Sequence, residues 1–201
     1  MTDITPFLGH YVDFKDGSFR NVRAATFAQV RTLFDGSAVK RFHTIPTVTE
    51  NTVGQHSHGV AMFCVLLEGG QPSAKLLMKA LTHDMAEQYT GDVPSPAKRA
   101  LGIRKEFGEV EEQLLETVDF SFDVTPREEM VLKLADCADG MLFCAKERML
   151  GNQSRMISHA YVNYVNYAAV ILPNLVGSDF TRRVQNVFDA INEIWEENGG
   201  E

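Results

Sequence analysis

The sequence predicts an all-α protein, a compact helical bundle that follows a short N-terminal arm. Two observations predict this class: apolar residues recur at helical spacing along successive segments, and capping residues, prolines and glycines mark where those segments begin and end. No internal repeat, low-complexity tract or linker divides the 201 residues, so we expect one domain over 1–201. The arm covers about the first twenty residues and fits a short hairpin or an irregular segment equally well.

Three helices are predicted in the first half of the chain. The first ends at Gly36, the second ends at the pair Gly69-Gly70, and the third begins at the capping residue Ser73. Two prolines, Pro94 and Pro96, then impose a stiff extended loop of the kind that can support a site. The predicted spans are 26–34, about 52–68 and about 73–90 for the helices and 91–96 for the loop.

Four further helices are predicted in the second half. A helix over 107–120 carries acidic residues, Glu111 among them, on a face expected to be exposed and distant from any anion pocket. Thr125 and Pro126 supply a cap and a first-turn proline for a long helix that runs towards Leu150. The last two helices are expected over 158–172 and 181–197. The apolar face of the final helix, which includes Trp195, fits either closure of the bundle or an interface between copies.

Composition and charge narrow the class of protein. The chain is 44% hydrophobic and 23% charged, the balance of a soluble globular protein rather than a disordered one. A net charge of −8 argues against a nucleic-acid-binding protein but leaves room for a local basic pocket. The three cysteines lack zinc-finger spacing, so we expect reduced thiols. Without a leader-like N-terminus or an apolar run of about 18 residues, we expect a cytoplasmic protein with no membrane partner.

Groups that bind cations concentrate on three of the predicted helices. They are His56 with His58, the adjacent pair His83-Asp84, and Asp136 with Asp139. Taken singly, each is more often a paired or solvated side chain. Taken together they favour a site, because imidazoles and carboxylates beside apolar stripes are costly unless they bind or pair with something. Two imidazoles and two carboxylates suit Mn²⁺, Co²⁺, Fe²⁺, Ni²⁺ or Zn²⁺ better than Mg²⁺.

Glu87 is the candidate for proton transfer. It follows His83 by four residues, so on a helix the two side chains would share one face. A carboxyl group beside a cation site can act as a general base or acid toward water whose pKa the cation lowers.

Three stretches carry a resemblance to a known family: ENTVGQHSHGVAM (50–62), ALTHDMAEQYTGDVPSPAK (80–98) and VLKLADCADGMLFC (131–144). The order of their histidines and aspartates resembles the HD-domain metal-dependent phosphohydrolases, above all the bacterial 5′-deoxynucleotidases and the phage dATP triphosphohydrolases. The resemblance covers about 38–150. The middle stretch is the most specific, because its HD pair is followed by AE and by TGD, two prolines and a lysine.

The resemblance implies a metal site and two catalytic carboxylates. Glu87 matches the catalytic carboxylate of the family, and Asp92 matches an acid near the sugar and the leaving group. The implied ligands of one divalent transition-metal ion, with Co, Mn, Zn, Fe and Ni left open, are His56, His83, Asp84 and Asp136. A second metal on the polyphosphate stays open.

The resemblance also implies substrate-binding residues. Arg41 matches an arginine that contacts phosphate, and Phe42 stands where the family usually has a tryptophan that packs on sugar or base. Ile45 is placed near the base, and Lys98 can add a charge for phosphate; alternatively Ile45 is a core residue and Lys98 a solvated cation. The spacer from Arg41 to His56 is one residue longer than in the bacterial monophosphatases.

We therefore predict an HD-domain phosphohydrolase that acts on 2′-deoxynucleotides. The longer spacer and the phenylalanine favour a dATP triphosphohydrolase, which forms deoxyadenosine and triphosphate and accepts dADP and dAMP as further substrates. The alternative is a 5′-deoxynucleotidase that releases orthophosphate from dNMPs. A non-catalytic metal-binding regulatory protein is the remote alternative, against which Glu87 argues. By resemblance, we expect a homo-oligomer.

Overall fold

The computed structural model describes residues 22–174 and 178–199, and helices make up the regular structure of these ranges. The predicted all-α class is confirmed, and the predicted N-terminal arm lies outside the described residues. The helices are α1 (Val22–Ser37), α2 (Val53–Leu67), α3 (Ala74–Thr82), α4 (Glu87–Thr90), α5 (Ser95–Ala100), α6 (Arg104–Glu116), α7 (Pro126–Met149), α8 (Arg155–Ile171) and α9 (Ser178–Glu197), with a 3₁₀ turn over Leu172–Asn174.

The long helix α7 forms the centre of the bundle and packs against α2, α8 and α9. It starts as predicted: the Thr125 side chain accepts from the backbone N–H of Glu128, the Glu128 side chain accepts from that of Thr125, and Pro126 occupies the first turn. Its buried residues alternate with exposed ones along its length, so one face enters the main core. A helix buried between three neighbours can hold polar side chains in fixed positions.

Helix α2 begins and ends with local signals that the sequence displays. Thr52 forms a capping box with Gln55 at its start. At its end Gly69 and Gly70 adopt left-handed φ values of 64° and 85°, and the Gly70 N–H donates to the Val65 carbonyl. The predicted stop is confirmed, because a side chain other than glycine is strained at two consecutive positions of this kind.

The predicted continuous helix over 73–90 is wrong, because α3 ends at Thr82 and a separate turn of helix, α4, begins at Glu87. Between α3 and α4 the backbone N–H groups donate hydrogen bonds to the carbonyl three residues earlier instead of four. The Met85 N–H, for example, donates to the Thr82 carbonyl at 2.9 Å. The Thr82 hydroxyl also lies 3.1 Å from the carbonyl oxygen of Phe120, which ties the end of α3 to another segment. The pair His83-Asp84 therefore lies in a tight turn rather than within a helix.

The loop predicted over 91–96 is also shorter than expected. Residues 91–94 are irregular, but Ser95–Ala100 forms α5 with Pro96 in its first turn. A first-turn proline is compatible with a helix because that position needs no backbone N–H donor. The acidic helix likewise shifts, to Arg104–Glu116 from the predicted 107–120.

Helix α1 packs through its small residues. Ala28 and Thr32 are buried, and a Cβ added at Gly36 would lie 2.9 Å from the Met85 carbonyl oxygen, so the helix lies close to that turn. The large apolar residues at helical spacing in 26–34 face outward: Phe27, Val30, Leu33 and Phe34, of which Phe34 is 69% exposed. The helix is confirmed, whereas its large side chains do not build the core.

Helix α9 closes the bundle, one of the two roles its sequence allowed. Val184, Ile191 and Trp195 are buried, and the Trp195 ring stacks on Tyr161 of α8 with centroids 4.0 Å apart. Three free cysteines, Cys64, Cys137 and Cys144, lie buried in the core, as predicted for reduced thiols. None of the helices in the described ranges combines the length and apolar character of a membrane-spanning segment.

Candidate active site

Three elements bring the predicted metal ligands to one point. His56 comes from α2, His83 and Asp84 from the turn after α3, and Asp136 from α7. His56 Nε2 lies 3.4 Å from Asp84 Oδ2 and 3.3 Å from Asp136 Oδ1, and His83 Nε2 lies 3.4 Å from Asp84 Oδ1. One potential ligand atom from each of His56, His83 and Asp84 lies within 4.8 Å of the other two. His58, in contrast, is exposed on the far side of α2.

Both imidazoles are oriented by contacts at their Nδ1 atoms. Nδ1 of His56 lies 2.6 Å from Asp139 Oδ2, and Nδ1 of His83 lies 2.9 Å from the Ala80 carbonyl oxygen. When Nδ1 donates these bonds, the lone pair of Nε2 points into the cluster. Both Nε2 atoms are buried, and neither has a hydrogen-bond partner among the described residues. Such unpartnered buried nitrogens fit a divalent cation, as does the mixed donor set of imidazole and carboxylate.

The two aspartates of the cluster are held ionised. Burial raises the pKa of the Asp136 carboxyl, but the His56 imidazole, whose Nε2 lies 3.3 Å from Oδ1, and the charge of Arg41 outweigh it and keep that pKa well below its usual range. Burial likewise raises the pKa of Asp84, and His83, His56 and Arg41 more than offset it, so the net shift is downward. A cation prefers carboxylates in this ionised form.

Glu87 is buried beside the cluster without a full set of partners. Its side chain is 6% exposed, and within the described part of the chain its Oε2 accepts no hydrogen bond. Burial first, and then the charges of Asp84 and Asp92, raise the pKa of Glu87 to about 9, against the opposing charge of Arg41. The turn that replaces the predicted helix holds Glu87 close to Asp84 through a bond of 3.0 Å from Glu87 N to the Asp84 carbonyl. A buried carboxyl with a strongly raised pKa is suited to proton transfer.

Arg41 is placed by a short antiparallel pairing. Its backbone N–H donates to Asn51 at 2.8 Å, and Lys40 pairs with Thr52 directly before α2. The guanidinium then lies beside the cluster, with Nη2 3.9 Å from Asp136 Oδ1 and Nη1 4.0 Å from Asp139 Oδ2. Nη1 is buried and lacks a hydrogen-bond partner in the ranges described. This donor is free for an anion such as phosphate.

Phe42 adopts an uncommon backbone conformation next to Arg41. Its φ is 55°, a left-handed value that is unfavourable for an aromatic residue. The Phe42 N–H donates to Asp92 Oδ2 at 3.2 Å, and the ring stacks on Phe143 of α7 with centroids 4.6 Å apart. Asp92 therefore contacts the backbone that carries the aromatic side chain, and its Oδ2 also lies 3.9 Å from His43 Nδ1.

Ile45 and Lys98 have structural contacts of their own. Ile45 is partly buried against the main core, and its N–H donates to the Phe42 carbonyl at 2.9 Å. Lys98 Nζ donates to Glu111 Oε1 at 3.1 Å and lies 4.1 Å from the centre of the Phe107 ring. The expectation that Glu111 lies on an exposed face distant from an anion pocket is wrong, because it pairs with Lys98 and its charge helps to raise the pKa of Glu87.

Gly59 has a role in the site that the sequence did not reveal. A Cβ at Gly59 would lie 1.8 Å from Asp139 Oδ1, so only glycine at this position lets Asp139 reach the His56 imidazole in the observed arrangement. Asp139 was noted in the sequence three residues after Asp136, but its contact with His56 was not predicted. Asp139 and His56 are 83 positions apart in the chain. A pairing over this separation leaves no local signal.

Known proteins are similar to this chain in sequence and in fold. Residues 27–168 match the family described as 5′-deoxynucleotidase YfbR-like. A dATP triphosphohydrolase of Salmonella phage PMBT28 is 29% identical over 151 residues, which span 68% of this chain and 77% of the phage protein.

Solved structures resemble the fold. An HD phosphohydrolase of cyanophage S-2L, bound to dA and one catalytic Zn²⁺ ion, superposes with a TM-score of 0.65 at 20% identity, covering 81% of this chain and 96% of the cyanophage chain. An HD-domain phosphohydrolase of Listeria innocua superposes with a TM-score of 0.50 at 19% identity over 84% and 98% of the two chains. The family match covers most of the described residues and confirms the predicted phosphohydrolase class, and the chain therefore belongs to the 5′-deoxynucleotidase YfbR-like family.

Proposed function

We propose that this protein hydrolyses dATP at the 5′ ester, giving deoxyadenosine and triphosphate, and that it accepts dADP and dAMP as further substrates. The observation that carries the proposal is the convergence on one site of two buried, unpartnered imidazole nitrogens, two ionised aspartates and the buried Nη1 donor of Arg41, which has no hydrogen-bond partner among the described residues. The phage relative named a dATP triphosphohydrolase and the cyanophage structure with dA support this choice of substrate.

In this proposal His56, His83, Asp84 and Asp136 hold one divalent transition-metal ion. Zn²⁺ in the cyanophage structure supports zinc, and the donor set also accommodates Mn²⁺, Co²⁺, Fe²⁺ and Ni²⁺. When bound, the ion polarises the phosphoryl group and offsets negative charge that develops there.

Arg41 and Phe42 orient the substrate in the proposal. The free Nη1 donor of Arg41 binds a phosphate oxygen, and the partly buried Phe42 ring supports the sugar or the base. Asp92 fixes the backbone between them through its bond to the Phe42 N–H, and it also offers an acid on the sugar side. Ile45, one turn along, is proposed to border the base, and Lys98 to add charge toward the phosphates.

Glu87 moves the proton. Its carboxylate accepts a proton from the attacking water as the bond to phosphorus forms. The carboxylic acid then returns this proton to the 5′ oxygen, which leaves with deoxyadenosine as the ester bond breaks. Glu87 ionises more readily once Asp84 is neutralised by a cation, because the charge of Asp84 is one cause of its raised pKa.

A 5′-deoxynucleotidase that releases orthophosphate is the second candidate, and the description of the matching family favours it. Product analysis separates the two. The purified protein is incubated with dATP, dADP, dAMP, the other deoxynucleotides and ATP in the presence of Mn²⁺, Co²⁺ or Zn²⁺, and the released phosphates are resolved by ion chromatography.

We expect triphosphate from dATP. Release of orthophosphate from dNMPs alone would instead support the second candidate, a 5′-deoxynucleotidase. Stoichiometric metal without hydrolysis of any nucleotide would favour a regulatory protein. A single domain over 1–201 and a homo-oligomer also stay proposals, and light scattering after size exclusion tests the second.

A further inference from the structure

We propose that Tyr164 is a substrate-binding residue of this site, whose hydroxyl donates a hydrogen bond to the nucleotide phosphate that Arg41 binds. The inference rests on the proposed function and deepens it. It starts from the packing of α8 on α7, which brings one tyrosine of α8 to the candidate active site.

The Tyr164 ring lies directly on the backbone of α7 at Gly140. A Cβ at Gly140 would lie 2.4 Å from Cζ of Tyr164 and 2.6 Å from both Cε atoms. Because Cζ carries the hydroxyl, the polar end of the ring is the end that rests on α7. Any side chain at this position would displace it, so glycine is required for the observed contact.

This contact sets an upper limit on the distance between Tyr164 Cζ and Asp136, one of the residues of the cluster. Gly140 follows Asp136 by four residues on α7, so their Cβ directions share one face and are about 6 Å apart. With the 2.4 Å from the Gly140 Cβ position to Tyr164 Cζ, the carbon that bears the hydroxyl lies within about 8.5 Å of the Asp136 Cβ. A phosphate beside the cluster lies within reach of a hydroxyl at this position.

Tyr164 also lies beside the two stacked aromatic rings of the site, Phe42 and Phe143. Its ring centroid lies 6.5 Å from that of Phe42, which stacks on Phe143. The guanidinium carbon of Arg41 lies 5.7 Å from the centre of the same Phe42 ring. Tyr164 and Arg41 therefore both lie near the Phe42 ring. Asp136, Gly140 and Phe143 share the face of α7 that packs against this group.

The chemistry of the hydroxyl suits an anion. Burial raises the pKa of Tyr164 well above its usual value despite the charge of Arg41, and Asp136 acts in the same direction as burial. The hydroxyl therefore keeps its proton and is a neutral donor beside a cationic one. The hydroxyls of Tyr161 and Tyr167 on the same helix bond to Asn192 and Arg104, whereas that of Tyr164 has no hydrogen bond to any described residue.

The test removes only the hydroxyl. For Tyr164→Phe in the metal-loaded protein we expect the KM for dATP to rise about tenfold, with kcat changed less than about threefold. Isothermal titration should show inorganic triphosphate binding weakened by about the same factor and deoxyadenosine binding unchanged. Tyr167→Phe, the same truncation one turn along α8 at a hydroxyl that contacts Arg104, is the matched control and should leave these values at wild type.

A second variant tests the contact with α7. Gly140→Ala displaces the ring, so we expect a loss of triphosphate binding at least as large as that of Tyr164→Phe, and circular dichroism checks that the helices persist. Wild-type KM and triphosphate affinity in Tyr164→Phe would overturn the inference while leaving the proposed function intact. Weaker deoxyadenosine binding alone would also overturn it, in favour of a contact with the nucleoside. A wild-type protein that hydrolyses no nucleotide would instead contradict the proposed function.

Discussion

Two buried glutamates at different places in the bundle, Glu147 and Glu87, have opposite surroundings. Glu147, near the end of α7, is fully buried and accepts hydrogen bonds from Val48 N at 2.5 Å, Thr49 N at 2.7 Å and Asn152 Nδ2 at 2.8 Å. The Thr49 hydroxyl adds a fourth bond at 2.6 Å. Glu87 is almost as buried, yet its Oε2 has no partner in the part of the chain that is described.

The comparison separates a structural carboxylate from the carboxyl that we propose for proton transfer. At Glu147 burial raises the pKa, but the hydrogen bonds from Thr49, Asn152 and the backbone outweigh it and lower the pKa below its usual value. At Glu87 burial and neighbouring carboxylates raise the pKa to about 9. A buried carboxylate whose oxygens accept hydrogen bonds stabilises the loop that donates them. A buried carboxyl group without such partners destabilises the fold, and a role in proton transfer would explain why it is kept.

The largest expected effect is the loss of turnover in Glu87→Gln. The amide cannot exchange a proton, so we expect kcat for dATP to fall by about 10³-fold while metal content by mass spectrometry stays at wild type. Because the amide is buried without the proton uptake that Glu87 needs on folding at pH 8, the melting temperature of the metal-free variant at this pH should equal or exceed that of wild type. Retained turnover would refute the assigned role.

Glu147→Gln should have the opposite result, with stability lost and chemistry kept. The amide nitrogen would face backbone N–H donors, so we expect the free energy of unfolding to fall by about 2–4 kcal/mol. Urea titration measures this loss, and kcat of the folded fraction should stay within about twofold of wild type. A stability equal to that of wild type would show that the four bonds to Glu147 contribute little.

The two glutamates should also give opposite pH dependence. For Glu147, whose pKa is lowered in the folded state, the stability difference between wild type and Glu147→Gln is full at pH 7 and shrinks as the pH falls below the ordinary value of about 4.3. For Glu87, whose pKa is raised to about 9, metal-free wild type loses stability relative to Glu87→Gln as the pH rises from about 4.3 to about 9. Urea titrations at pH 3.5, 7 and 9 measure both, and slopes of the same sign would contradict the comparison.

The motif order of the sequence was enough to predict the cluster, because His56, the pair His83-Asp84 and Asp136 each lie in a recognisable stretch. The helices with clear caps were also predicted. The break after Thr82 was not, since apolar spacing continues through it and the switch to i−3 bonds depends on tertiary contacts such as that with Phe120. The partners of Glu147 lie 98 positions away at Thr49, which no local pattern indicates.

A smaller effect on metal binding is expected at Gly59, which acts on the His56 imidazole through Asp139. Gly59→Ala would push Asp139 away from His56 Nδ1, so the imidazole would lose the bond that orients Nε2. We expect about 10–100-fold weaker binding of Zn²⁺, measured by competition with a chelator. Asp139→Asn, which keeps the shape, should weaken binding less than Gly59→Ala. Gly108→Ala on the exposed face of α6, where an added Cβ meets nothing within 4 Å, is the matched control.

The smallest effect is expected at Lys98. Its partner Glu111 is intermediate between Glu147, which has a full set of hydrogen bonds, and Glu87, whose Oε2 has none among the described residues. Burial raises the pKa of Glu111 as it does that of Glu87, but Lys98 opposes the shift through its charge and its hydrogen bond. Because much of the lysine charge is already matched, Lys98→Gln should raise the KM for dATP only about threefold. Lys105→Gln is the control and should change nothing, because Lys105 lies on α6, the helix that carries Glu111, and its ion pair with Glu109 is exposed. A tenfold or larger rise in KM would show instead that Lys98 leaves Glu111 to bind phosphate directly. Glu111 would then lose its hydrogen-bond partner and resemble Glu87 rather than Glu147.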